Sequence, residues 1–341
     1  MTTKELLVTL CEATGVAGLE IGAVAEAEKL LSDLGQCEVT ALGSLVCRVK
    51  TQPQQPHVML TAHIDTIGLI VSYIEDSGFL RVSNCGGIDR SLLLASHVVV
   101  HSDSGDYDGV VCSIPPHLNP DDSVVPKVED IYIDVGFDGE ATRKKIALGD
   151  RVTFYGQSQE LLNGRISART LDDRAGCAAV ILAARKLADC HLNCSLSVVL
   201  ATMEEVGSQG AKTAANLLSP THSIVVDVSF GHTPDAPRQK CGILGKGPMI
   251  GISPILDNGV TAKLKETAAK EKISYQLEIM GGNTGTDADA VASSGAGVRC
   301  GLVSIPQRYM HTPIEVVEIA DVEAAANLIA AYVRDEFGGE R

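Results

Sequence analysis

The alternation of apolar and polar positions divides the chain into three stretches. Before residue 67, two segments with helical spacing are followed by the apolar runs LVCRV and HVMLTA, which predict buried strands. From about 67 to 163, short alternating runs are separated by Gly, Pro and Asp turns, a rhythm typical of a small antiparallel β-domain. After that, helices alternate with apolar strands. We therefore predict an α/β fold with a mixed sheet flanked by helices, built from residues 1–66 and 164–341, and a small all-β domain of residues 67–163 inserted between them.

The third stretch can be divided further from its pattern. It predicts helices at AGCAAVILAARKLA and TAKLKETAAKEK, strands at SLSVVLAT, SIVVDVS, YQLEIM and VRCGLVSI, a Gly-rich loop at GGNTGTDADAVASSG, and one long helix from Pro313 to Phe337.

Composition excludes several classes of function. The chain has 341 residues and a formal net charge of -15, which argues against nucleic acid and against an anionic membrane as partners. No run of apolar residues is long enough for a membrane span, and the N-terminus reads as an amphipathic helix. The ten scattered cysteines favour buried free thiols in a reducing cytoplasm. The cluster CHLNC offers only three metal ligands, so we interpret its two cysteines as free thiols of the core and not as part of a zinc site.

Polar side chains collect where the predicted strands end and where the predicted helices begin. Ligands at the carboxyl ends of strands are the usual arrangement in open α/β sheets. The residues in question are His63 and Asp65, Asp172 and Asp173, Glu204 and Glu205, Asp227, and His311.

This set is typical of a metal site. Two imidazoles and at least three carboxylates, without a cysteine, suit one or two divalent ions such as Zn, Co or Mn. Because residues i and i+2 of a strand face the same way, Asp65 can accept the second N–H of His63. Glu204 and Glu205 point in different directions, so one can bind metal while the other acts as a base. Any one of these residues alone has a simpler role, and we expect Asp287 to cap the helix that follows it.

Five motifs in the right order give the chain a resemblance to a known family. AHIDTIG, LDDRAG, EEVGSQGA, VDVS and RYMHTPIEV, together with PPHL and DIYIDVG inside the β-domain, resemble the M42 metallo-aminopeptidases of the TET type. The family has a two-metal site in its α/β domain and uses the inserted domain for dimerisation. Its members are hollow dodecamers built from dimers, so we expect a homo-oligomer here.

The resemblance also implies a role for each site residue. Two divalent ions per subunit, Zn or Co, are expected. It implies that His63 and Asp227 bind one metal, that Glu205 and His311 bind the other, that Asp172 bridges them, that Glu204 is the general base, and that Asp65 supports His63. The resemblance is also compatible with a cis peptide bond between Asp172 and Asp173. Thr66 departs from the family, in which an acidic residue often stands at this position.

The expected reaction is the removal of an N-terminal residue from a peptide with a free N-terminus, by a metal-activated water with Glu204 as base. A related deacylase or carboxypeptidase is the alternative, and it would need an Arg for the substrate carboxylate, for which Arg165, Arg169 and Arg299 are available. A non-catalytic assembly protein would have lost a ligand, and none is lost. Glycoside hydrolysis requires two carboxylates on opposite sides of a sugar bond, which adjacent glutamates do not provide. A preference for acidic N-terminal residues would need a cation, for which Lys240 and Lys246 are candidates.

Overall fold

The computed structural model describes residues 1–114, 117–118 and 125–339. Pro115 and Pro116 of the PPHL motif lie outside the described residues. Helices in the described part of the chain are α1 (Thr3–Glu12), α2 (Ile21–Leu31), α3 (Gly139–Lys145), α4 (Leu171–Leu187), α5 (Gln209–Leu218), α6 (Asn258–Lys270), α7 (Asp287–Ala292) and α8 (Ile319–Phe337).

The described strands are divided by position in the chain into a first group, before residue 155, and a second group, from residue 159 onward. The first group is β1 (Gln36–Val39), β2 (Leu45–Lys50), β3 (His57–His63), β4 (Gly68–Ile74), β5 (Leu80–Cys85), β6 (His97–Ser102), β7 (Gly105–Val111), β8 (Tyr132–Asp134) and β9 (Arg151–Phe154). The second group is β10 (Gln159–Leu161), β11 (Arg165–Ala168), β12 (Ser195–Ala201), β13 (His222–Phe230), β14 (Met249–Ile252), β15 (Gln276–Ile279), β16 (Arg299–Arg308) and β17 (Glu315–Glu318).

One large mixed sheet forms the body of the protein. Its order is β1-β2-β12-β3-β13-β16-β17-β11-β10, and β14 and β15 extend it beside β16. The four central strands β12, β3, β13 and β16 are parallel to one another. β2 pairs antiparallel with β12, and both β14 and β17 pair antiparallel with β16. Because the carboxyl ends of parallel strands meet at one edge, this arrangement brings the ends of β12, β3, β13 and β16 together.

Helices cover both faces of this sheet. Alternate strand residues point to opposite faces, so Val58 and Leu60 of β3 belong to a core with α1, α2, α4, α6 and α8, whereas Met59 packs with α5 and α7. The predicted α/β fold with a mixed sheet flanked by helices is therefore confirmed.

The strands β4 to β9 form a separate closed barrel with its own core, in the order β4-β5-β8-β7-β6-β9. The small all-β unit predicted for the middle of the chain is confirmed. Its limits at residues 67 and 163 stay a prediction, and β10, which lies inside that range, pairs with β11 in the large sheet.

The predicted start of the last helix is wrong. Glu315–Glu318 forms β17, which pairs antiparallel with both β11 and β16, and α8 begins only at Ile319. The apolar residues Val316 and Val317 fit either a helix or a short strand, and the pairing with two neighbouring strands decides between them.

None of the helices in the described part of the chain is both long enough and apolar enough to cross a bilayer.

Candidate metal centre

The five side chains predicted as metal ligands converge at the carboxyl edge of the parallel strands. His63 is the last residue of β3, Glu205 lies in the loop after β12, and Asp227 stands in the second half of β13. Asp172 comes from the first turn of α4, and His311 follows β16. Four separate segments of the sheet and one helix therefore supply the site.

Two groups of three ligands share Asp172. Single donor atoms of His63, Asp172 and Asp227 lie within 4.8 Å of one another, and so do those of Asp172, Glu205 and His311. The Asp172 Oδ1 lies 3.1 Å from His63 Nε2, and its Oδ2 lies 3.3 Å from His311 Nε2. One carboxylate thus faces both imidazoles, which is the arrangement that a bridging ligand requires.

Asp65 is buried beneath this centre. The nearest oxygen to His63 Nδ1 is the main-chain oxygen of Asp65, at 3.0 Å, and the Asp65 carboxylate lies 3.6 Å away. That carboxylate accepts hydrogen bonds from the main-chain N–H groups of Glu204 and Glu205, at 2.9 and 3.1 Å. Asp65 therefore orients His63 mainly through its backbone, and its side chain fixes the loop that carries both glutamates.

Two further carboxylates lie next to Asp172, and one of them binds its main chain. Glu315, which the sequence did not single out, is buried and accepts the N–H groups of Asp172 and His311, each at 3.0 Å. Asp173 follows Asp172 across a cis peptide and accepts the N–H of Gly176 at 2.9 Å. The motif RYMHTPIEV contains both His311 and Glu315, but it gives no sign of the hydrogen bond from the N–H of Asp172, which is 143 residues away.

The expected role of Asp287 is wrong. Thr286 caps α7 by accepting from the N–H of Ala288 at 3.1 Å. Asp287 is instead buried, and neither of its carboxylate oxygens has a hydrogen-bond partner within the described residues. Burial, with the nearby negative charge of Glu204, raises the pKa of Asp287 to about 8. A side chain that points inward from the first turn of a helix cannot be told from a cap by sequence spacing.

Thr66, which departs from the family pattern, has a structural contact. It is buried, and its hydroxyl donates to the main-chain oxygen of Gly15 at 3.3 Å. Thr66 therefore ties the segment after α1 to the end of β3.

Burial and like charges raise the proton affinity of the cluster. Burial raises the pKa of Glu205 to about 8, and Asp172 adds to the rise. Burial also raises the pKa of Glu204 and lifts that of Asp227 well above its usual range. A hydrogen bond with Asp172 raises the pKa of His311 to about 9. In the absence of cations the cluster would therefore hold protons, which divalent ions would displace.

The donor set fits a divalent metal pair. It consists of two imidazole nitrogens and three carboxylates, without a thiolate, and four of the five residues are buried or nearly so while His311 is about one third exposed. Nitrogen and oxygen donors of this kind suit Zn or Co, and the shared Asp172 offers one oxygen to each position.

A cavity of about 370 Å³ opens on the two ligand groups. Beyond the ligands, residues from several separate segments line it: Gly87 from the barrel, Glu204, then Val228, Ser229 and Phe230, then Glu278, then Thr284, Gly285 and Thr286, and finally Ser304 and Met310. Within residues 1–114, 117–118 and 125–339, the lining includes no Lys and no Arg, so none of Arg165, Arg169, Arg299, Lys240 and Lys246 reaches it. Arg165 instead pairs with Glu318 at 3.1 Å.

Comparison with known proteins gives a consistent result. A family model described as M42 glutamyl aminopeptidase matches residues 43–328. The chain is similar to a lysyl aminopeptidase of Pyrococcus furiosus, with 31% identity over 342 residues that cover 98% of each protein.

Solved structures agree with the sequence comparison. An aminopeptidase from the archaeon Desulfurococcus kamchatkensis superposes with a TM-score of 0.92 at 33% identity, covering 98% of this chain and 95% of the other. The TET1 peptidase of Pyrococcus horikoshii, described as assembling into a tetrahedron or a large octahedral shell, superposes with a TM-score of 0.87 at 31% identity, covering 97% and 98%.

Proposed function

Because this chain belongs to the M42 family of aminopeptidases, we propose that it removes N-terminal residues from peptides with two divalent metal ions and Glu204 as the general base. The observation that carries this proposal is the pair of ligand groups that share Asp172 at the floor of the cavity.

Each of the two ions would have its own ligands. His63 and Asp227 would hold one, Glu205 and His311 the other, and Asp172 would bridge them, with Zn or Co as the metal. When bound, such a pair lowers the pKa of a coordinated water and stabilises negative charge on the substrate carbonyl oxygen.

Glu204 would handle the proton. Its side chain lines the cavity, and its main-chain N–H is anchored on the Asp65 carboxylate at 2.9 Å. Burial raises its pKa, which brings it closer to neutral pH, where a general base works best. Glu204 would accept the proton of the attacking water and deliver it to the leaving amine.

The proposal extends to partners. The substrates would be peptides with a free N-terminus. The barrel would mediate dimerisation, with residues 67–163 as the inserted domain, and dimers would assemble into a dodecamer. A solved TET1 structure described as a dodecamer, 30% identical to this chain, supports this assembly. Nucleic acid and membranes are not expected as partners because of the net charge of -15. A cytoplasmic location stays a prediction.

The alternative of a deacylase or carboxypeptidase has less support. It requires a cation for a substrate carboxylate, and none of the described residues lining the cavity is Arg or Lys.

The test uses dipeptides with free and acetylated N-termini. The purified protein is stripped with a chelator, and activity is measured before and after Zn or Co is restored. We expect no activity in the stripped protein, recovery on the free peptides after metal is restored, and no cleavage of the acetylated ones. Cleavage of acetylated peptides at a similar rate would contradict the proposal.

A further inference from the structure

One carboxylate in the cavity is not used by the proposed mechanism. Glu278, on the edge strand β15, lines the same cavity as the metal ligands. Its oxygens accept hydrogen bonds from the hydroxyls of Ser304, at 2.6 Å, and Ser229. Both serines are buried. Glu278 is therefore held in one position at the wall of the cavity.

The sheet places this carboxylate next to the metal ligands. Ser304 of β16 is the register partner of Asp227 on β13. Ser229 is two residues after Asp227 on the same strand and so points to the same face. Ser304 thus lies about one strand spacing of 4.8 Å from Asp227 on the neighbouring strand, and Ser229 lies about 6.7 Å from it along the same strand. A group bound by Glu278 would lie beside the reaction centre and not on it.

The charges of the cavity leave Glu278 without a partner. Two divalent ions carry four positive charges, which Asp172, Glu205, Asp227 and Glu204 would balance. Glu278 forms no ion pair within residues 1–114, 117–118 and 125–339; its two partners are neutral hydroxyls. A carboxylate placed in this way attracts a cation from the substrate.

Met310 also lines the cavity, whereas Val228 packs into the core on the other face of the sheet. A lysine side chain carries its ammonium group at the end of a flexible four-carbon stem, so its charged end can reach a carboxylate that lies to one side of the reaction centre.

Resting on the proposed function, we infer that the enzyme prefers peptides whose N-terminal residue is basic, with Glu278 binding the side-chain cation of Lys or Arg. An N-terminal Glu or Asp would bring a second carboxylate against Glu278, with no described Lys or Arg in the cavity to compensate. Glu278 is thus the specificity-determining residue, and Ser229 and Ser304 position it.

The experiment measures kcat/KM for fluorogenic amides of Lys, Arg, norleucine and Glu. Norleucine matches the stem of Lys without its charge, so the Lys/norleucine ratio isolates the contribution of the cation. In the wild-type enzyme we expect this ratio to be about tenfold or more, because a hydrogen bond to a charged group is worth that much or more, and we expect Glu to be the poorest substrate.

Two variants then assign the preference to one residue. Glu278→Gln should lower the Lys/norleucine ratio about tenfold, and Glu278→Lys should favour Glu over Lys. Glu26→Gln is the matched control, because Glu26 pairs with Lys29 on α2 and does not line the cavity, and it should leave the ratio unchanged.

The outcomes separate the inference from the proposed function. No turnover of any of the four amides in the metal-loaded protein would overturn the aminopeptidase proposal itself. Turnover with norleucine or Glu preferred over Lys in the wild type would overturn the inference alone, and that measurement needs no variant. An equal loss on all four substrates in Glu278→Gln would also overturn it, because Glu278 would then act on a group common to every substrate, such as the α-ammonium.

Discussion

Glu204 and Glu205 are neighbours in the sequence with different surroundings. Glu205 has an oxygen 3.6 Å from His311 Nε2 and belongs to a ligand group, whereas Glu204 lines the cavity and belongs to neither group. Asp65 holds the main chain of both. The structure thus supports a division of roles between a ligand and a base, which the alternation of side chains along the chain could only suggest.

We predict that Glu204→Gln separates metal binding from turnover. The amide keeps the size of the side chain and removes its ability to accept a proton, so kcat should fall by roughly a hundredfold or more. The metal content should stay at the wild-type value because Glu204 belongs to neither ligand group. Metal analysis and kinetics on one preparation check both statements, and a near wild-type rate would refute the assignment of the base.

The five candidate metal ligands and Asp65 could be found in the sequence, whereas Glu315 and Glu278 could not. His63, Asp172, Glu205, Asp227 and His311 all lie at or near the ends of elements, where polar residues are unusual and therefore visible. Glu315 binds two main-chain N–H groups, and Glu278 binds two hydroxyls on other strands. Such roles depend on strand order and register, which no local pattern encodes.

The start of α4 shows how one element can serve the site and the core at once. Asp172 and Asp173 have non-helical backbone angles. The residues that follow them form regular helix, and most of their apolar side chains are buried. The Asp173 Oδ1 caps the N–H of Gly176. A Cβ at Gly176 would lie 2.3 and 2.4 Å from the two carboxylate oxygens of Asp173, so this position has no room for a side chain.

We predict that Gly176→Ala lowers both stability and metal retention. Within a helix, Gly→Ala ordinarily stabilises by about 0.5–1 kcal/mol, but here the methyl group would push Asp173 away and shift Asp172 with it. The expected net cost is about 1–3 kcal/mol, as for other overpacked positions. Thermal unfolding and dialysis against a chelator measure the two effects. Gly259→Ala, at an exposed position of α6, is the control and should not change metal retention. A higher melting temperature for Gly176→Ala would contradict this account.

Elements with strong periodicity were predictable, and short ones were not. β3, β4, β12 and the body of α4 follow directly from their apolar patterns. The pattern predicts helix for the residues of β17 because two valines in a four-residue segment fit both periods, and only the pairing with β11 and β16 makes this segment a strand.

At the scale of the molecule, the metal centre joins parts of the chain that are far apart in sequence. The residues that could hold a metal come from β3, α4, the loop after β12, β13 and the segment after β16. Their negative charges repel one another unless protons or cations lie between them. The order of the strands could not be read from the sequence, but it is what makes this assembly of ligands possible.

We predict that removing the metals makes stability depend on pH between about 6 and 9. Burial raises the pKa of Glu205 to about 8, and Asp172 raises that of His311 to about 9. Both groups then hold protons in the fold that the unfolded chain has already released, so stability falls as the pH rises through this range.

The measurement compares melting temperatures of the chelated and the metal-loaded protein from pH 6 to pH 9. The chelated protein should lose stability steadily with rising pH, whereas bound ions replace the protons and should flatten the curve. A chelated protein that became more stable towards pH 9 would refute the prediction.

The barrel meets the metal centre at two residues without side chains. A Cβ at Gly86 would lie 3.1 Å from the Glu205 Oε2, and one at Gly87 would lie 3.1 Å from the His311 Nδ1. A domain whose only role was to join two subunits could be replaced by another domain that dimerises with the same affinity. This one also contributes Gly87 to the lining of the cavity, so a substitute domain that joined copies equally well would still change the wall beside the candidate metal ligands.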